Sequence, residues 1–210
     1  MPNTSATGGI LTPDSVPVIL EDEPLIDFIQ EWIVALTGLA TYLVRPRWQS
    51  ESSNIPEEGV TWMAFGITKR KDDPFNSEVQ SPNGNGSTEM RRHEVLTFLI
   101  SCYGPLADSK LSRFKDGVQV SQNREVLSAN NMGLVAIGEK TTVIPELIKD
   151  RWLYRVDLPF EIQRQVVRSY SVMNIIAAPI VLDNEQYTSD ITFDPGLLDS
   201  TFKLDQSKTL

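Results

Sequence analysis

The chain has 210 residues, 40% of them hydrophobic and 22% charged, a formal net charge of -9 at pH 7 and one cysteine. That length suffices for one sizeable core, and these fractions exclude gross disorder, a collagen-like helix and a long coiled coil. The acidity disfavours general affinity for nucleic acid, which comes mainly from neutralising phosphates, and is compatible with a passage along which DNA slides without sticking.

Residues 1–20 mix Pro, Gly, Ser and Thr with few large apolar groups and predict an N-terminal arm. Met1 to Asp14 lack the basic region and apolar run of a signal peptide, and no stretch approaches the roughly 18 uninterrupted apolar residues of a membrane span. With Cys102 as the only cysteine, a reducing compartment fits and no intrachain disulfide can form. We expect assembly in a cytoplasm and no membrane partner.

The core is expected over residues 21–182. Pro24 follows Asp22 and Glu23, both favourable at a helix start, and Leu25, Phe28, Ile29, Trp32, Ile33 and Leu36 recur at helical spacing until Gly38. Strand character follows over Thr41–Val44, leading into Arg45-Pro46-Arg47-Trp48, and over Val60–Thr68. Lys69 to Glu89 is almost free of apolar residues and predicts a long solvated loop, either a partner contact or plain disorder.

His93–Tyr103 predicts a central strand, with Leu96, Phe98, Ile100 and Cys102 on one apolar face. After Gly104 and Pro105, Asp108 can cap a helix carrying Leu111, Phe114 and Val118 and running to about Asn130. Met132–Ile137 reads as a strand, and Glu146–Asp150 as a short helical turn.

Trp152, Tyr154, Val156, Leu158, Phe160 and Ile162 then alternate with more polar residues, and the same face resumes at Val166, Tyr170 and Val172. Unbroken, this run spans about 70 Å, so it must bend, turn near Gln163–Gln165 or project. Projection or a hairpin leaves an edge to be covered, as a ring of like subunits does. Residues 183–210 are polar and acidic and predict a C-terminal arm.

Catalytic chemistry is sparse. His93 is the only histidine, which removes most nucleophile–base pairs and histidine metal sites. Cys102 falls on an apolar strand face, where thiols are usually inert. There is no phosphate loop, GxGxxG or HExxH. We therefore expect no enzyme activity, no cofactor and no metal site.

The Arg45, Arg47 and Trp48 cluster reads as a nucleic-acid patch or as an interface in which arginines meet carboxylates and the indole supplies buried area; two charges favour the interface. Arg151, Arg155, Asp157 and Arg164 lie on or beside the long run and suit salt bridges between strands or subunits.

The ordered segments LVRPRWQ, VTWMAFGI, RRHEVLTFLISCYGP, FKDGVQVSQNREVL, IPELIKDRWLYRVDLPFEI and RQVVRSYSV together resemble the phage neck (tail) terminator family. The most distinctive are Cys102–Pro105, Asp116–Arg124 and Pro145–Leu158. The resemblance implies an α+β fold, a mainly antiparallel β-sheet flanked by helices. It further implies a virion protein forming a hexameric ring that caps the tail tube, meets the sheath in contractile tails and faces the head–tail connector. It transfers no active-site residue. Within that frame Arg45, Arg47, Trp48, Trp152, Arg155 and Asp157 are candidates for subunit contacts, and Lys69, Arg70, Lys71 and Phe75 for axial contacts. A head-completion or connector ring, and a small-molecule-binding β-rich domain, are the competing readings; the last requires a concave pocket with converging polar groups.

Overall fold

The helical spacing of the first apolar segment produces helix α1 (Asp22–Thr37), which buries Leu25, Ile29, Trp32, Ile33 and Leu36. Gly38 adopts the left-handed conformation that ends it, its N–H donating to the Val34 carbonyl. This computed structural model describes residues 3, 9–14, 20–48, 55–57, 59–81, 86–141, 145–148, 151–172, 177–181 and 188–192.

Beyond α1 the expected strand at Thr41–Val44 is replaced by a 3-10 turn, Thr41–Leu43, and strand β1 is only Val44–Pro46. The Gln30 side-chain amide donates to the carbonyls of Thr41 (3.3 Å) and Val44 (2.6 Å), and binding two carbonyls from the helix holds the turn against α1. Strand β2 (Trp62–Asp72) follows, then β3 (Ser77–Ser81) and the long β4 (Ser87–Tyr103).

The solvated loop expected over Lys69–Glu89 is therefore largely sheet. β2 and β3 pair in succession with β4, antiparallel, Arg70 opposite Leu96 and Val79 opposite Glu89. Their polarity misled because β4 satisfies the backbone hydrogen bonds, so an exposed strand needs no apolar face. Residues 82–85 of the expected loop lie outside the described residues.

The helix expected to reach Asn130 is two helices, α2 (Ala107–Gly117) and α3 (Ser121–Ser128). Asn123 Nδ2 donates to the Gly117 carbonyl at 2.8 Å and so closes the end of α2. Asp108 is not the cap; Leu106 holds that position without a side-chain bond, and Asp108 accepts from Lys140 Nζ at 2.6 Å.

Strand β5 (Met132–Ile137) is as expected. Glu146–Ile148, expected as a helical turn, is strand β6, antiparallel to β7 (Arg151–Leu153). So short a segment cannot sustain a helix alone, whereas a facing strand supplies its partners. Strand β8 (Arg155–Ser171) runs through Gln163–Gln165 without a hairpin, and β9 (Ala177–Val181) pairs antiparallel with β10 (Thr188–Thr192), which falls within the expected C-terminal arm.

The main sheet has the order β1-β2-β4-β8-β5, with β3 also on β4; β1 and β2 are parallel, so the α+β sheet is mixed rather than wholly antiparallel. Residues 18–75 and 92–166 make one compact unit, and residues 1–17, 76–91 and 167–210 make another.

In the first unit α1, α2 and α3 share a core with the sheet. Phe98 on β4 stacks on Phe160 of β8 (5.1 Å), Phe114 of α2 lies 5.5 Å from Phe160, and Trp32 of α1 meets Phe114 edge-on. The Trp32 indole donates to the Asn123 carbonyl, fastening α1 to α3.

In the second unit the Asp14 amide donates to the Ser169 carbonyl, and the Val172 amide to that of Gly86.

Candidate functional site

Three of the expected interface residues sit at the β1 end of the sheet. Arg45 Nε donates to the Tyr42 carbonyl at 2.8 Å. The Arg47 amide continues the pairing with β2 by donating to Phe65 O, and its guanidinium reaches Ser101 Oγ on β4 at 2.6 Å. Arg47 and Trp48 pack closely on Gly66, where a Cβ would lie 3.1 Å from Arg47 Cβ and 3.4 Å from Trp48 Nε1. Arg47 is thus engaged within the chain, although its buried Nε has no hydrogen-bond partner. Trp48 is 74% exposed.

Lys69 and Arg70, expected in a loop, lie on β2 beside Trp48. With Asp22 and Ile26 of α1 and Ile67 of β2 they line a groove of about 410 Å³. A bulge between Ile67 and Lys69 shifts the strand by one residue and turns Arg70 to the side of its pair partner Leu96. Lys71 is exposed on the same strand, and Phe75, 87% exposed, lies in the turn before β3.

Arg155 and Asp157, two apart on β8 and so on one face, pair with each other: Nε with Oδ1 and the terminal amine with Oδ2, both at 2.8 Å. Arg155 also lies over the ring of Tyr103 on β4, 5.8 Å from its centroid, and Tyr103 stacks on Trp62 of β2 at 4.3 Å. Trp152, which the alternation placed with the buried face of β8, is instead on β7 and 71% exposed. The irregular residue Tyr154 separates the two strands, so the phase of β8 does not carry back into β7.

Sequence reasoning missed a buried ion pair. Arg164, expected in a salt bridge between strands or subunits but not in the core, is 5% exposed; it donates to Glu94, itself 2% exposed, and to the Leu20 carbonyl. The signal was present: Glu94 continues the series Leu96, Phe98, Ile100, Cys102, and Arg164 interrupts the series Val156 to Val166.

His93 is exposed and lies 3.4 Å from Asp73. Cys102 is buried, and burial pushes its thiol up to about 12, so it is protonated and unreactive at neutral pH. Among the described residues no cluster of three or more His, Cys, Asp or Glu could hold a metal, and no helix is long and apolar enough to cross a membrane.

Among the described residues the surface offers exposed aromatic and basic groups for contact, and a concavity of about 800 Å³ between α1 and the α2–α3 pair is lined by Asp108, Ser112, Arg113, Asp116 and Asn123. No curated protein matches the chain. The family model for phage neck terminator proteins matches residues 23–187, from α1 to just before β10. The chain belongs to the phage neck terminator protein family, structural proteins of the phage virion at its neck.

Proposed function

We propose that the protein is one subunit of a hexameric ring at the head-proximal end of the tail, which ends polymerisation of tube and sheath and presents its far face to the head–tail connector. The observation that carries this reading is the family match together with two tryptophans, Trp48 and Trp152, exposed at 74% and 71%. Exposed indoles supply the large contact areas typical of interface anchors. Among the described residues β1 and β5 are the end strands of the main sheet, and end strands are the kind of surface that neighbouring subunits cover.

Termination needs only differential binding: the tube end must favour this ring over another tube subunit, and the far face must accept no more tube. Arg45, Arg47, Trp48, Trp152, Arg155 and Asp157 make the subunit contacts in this reading. Lys69, Arg70, Lys71 and Phe75 make axial ones. The net charge of -9 suits a lumen through which DNA passes without sequence-specific binding.

Negative-stain imaging of tails assembled with and without the protein tests the reading. Overlong or headless tails in its absence, with labelled protein as a ring at the head-proximal end, are expected. Normal tails lacking it, or label elsewhere, overturn the terminator role and favour a head-completion or connector ring.

A further inference from the structure

The groove between α1 and the β1–β2 edge combines an exposed indole with two cations that form no ion pair among the described residues. Trp48 and Ile67 give it apolar walls, and Ile26 of α1 is half-buried beside them. Lys69 and Arg70 are exposed, and Asp22 is the only carboxylate among the described lining residues, so these residues carry an excess positive charge on a chain whose net charge is -9. Such a site selects a short segment bearing both large apolar side chains and carboxylates.

The chain carries a segment of that chemistry. Residues 193–199 read Phe193-Asp194-Pro195-Gly196-Leu197-Leu198-Asp199, with three large apolar groups, two carboxylates and no cation. They lie outside the described residues and beyond the family match, which ends at 187.

We propose that this groove receives residues 193–199 of a second copy of the chain, with Phe193, Leu197 or Leu198 against Trp48 and Ile67, and Asp194 and Asp199 facing Lys69 and Arg70. In a ring every subunit offers one groove and one segment, and passing the segment onward makes a head-to-tail contact that closes on itself. The inference rests on the ring reading and deepens it. It adds a subunit contact to Lys69 and Arg70 and leaves Lys71 and Phe75 to axial ones.

The test mixes two full-length variants, Trp48→Cys and Leu198→Cys, assembles them into tails, oxidises mildly and resolves the products on a non-reducing gel. Cys102 is buried and contributes no background. A control replaces Trp48→Cys by Val126→Cys, at an exposed position on α3. A disulfide-linked dimer formed from the Trp48 and Leu198 positions, well above the control, is expected. Reversing the groove charge with Lys69→Glu and Arg70→Glu should lower the yield by about tenfold, equivalent to roughly 1.4 kcal/mol. Adding Asp194→Lys and Asp199→Lys to the partner copy should restore it.

Rings visible at the tail end with a yield no greater than the control overturn the proposal and leave the ring reading standing. Closure only within a chain carrying both cysteines also overturns it. Absence of rings from tails assembled with unmodified protein removes both readings together.

Discussion

Arg164 of β8 and Glu94 of β4 form an ion pair on the core face of two adjacent strands, in line with the stacked rings of Phe160 and Phe98. Contacts of Glu94 with Arg164, His93 with Gln165, Thr97 with Glu161 and Tyr103 with Arg155 advance along β4 as they retreat along β8, as in antiparallel neighbours. Arg164 also binds the Leu20 carbonyl and so fixes the chain just before α1.

Removing one partner of this pair leaves the other charge buried without compensation. Arg164→Met or Glu94→Leu alone should destabilise by about 3–5 kcal/mol, and the double variant by less than either single one. Urea denaturation of all three variants checks this; a double variant as unstable as the sum of the singles would contradict it.

Gly104 has φ +101, and a Cβ there would lie 2.7 Å from the Val60 carbonyl oxygen and 3.0 Å from Thr61 Cα. Backbone blocks the side chain, so Gly104→Ala should cost about 1–3 kcal/mol. Gly59→Ala is the comparison: it also has a positive φ but meets nothing within 4 Å, and its smaller loss in thermal denaturation would isolate the contribution of crowding.

The Cys102 thiol, raised by burial from 9.0 to about 12, should resist alkylation in the native protein at pH 8 and react on unfolding. Because the folded value lies above the unfolded one, its contribution to stability is fully present below pH 9. It is lost progressively between pH 9 and about 12, where the unfolded chain releases the proton and the folded chain retains it. Denaturant titrations across that range, compared with Cys102→Ala, measure this loss as a steeper decline in the native sequence.

Trp48 and Trp152 are exposed, so Trp48→Ala and Trp152→Ala should change monomer stability by no more than about 0.5 kcal/mol. Under the proposed function each should reduce incorporation into tails. Normal incorporation by both, scored by imaging and by protein content, would remove the indoles from the interface.

The helix at Asp22–Thr37 and the strands around Leu96–Cys102 and Val156–Ile162 were legible because their burial repeats at 3.6 or 2 residues, a property of each segment alone. Arg47 was marked as a contact residue, but its bond to Ser101 depends on β2 pairing with both β1 and β4, which no local pattern expresses. Likewise Lys69 and Arg70 were found together with Phe75 by charge and loop-like composition, whereas their company in the groove is Trp48 and α1.

The sequence by itself determined which faces are apolar, where α1 ends, and, through segments spread over most of the core, the family. Tertiary structure alone decided that the polar stretch from Lys69 is sheet, that Glu146–Ile148 is strand, and that Arg164 is buried against Glu94. Periodicity records burial along one segment, but hydrogen-bond and charge partners come from strands far apart in the chain, and only their pairing satisfies a polar strand or a buried guanidinium.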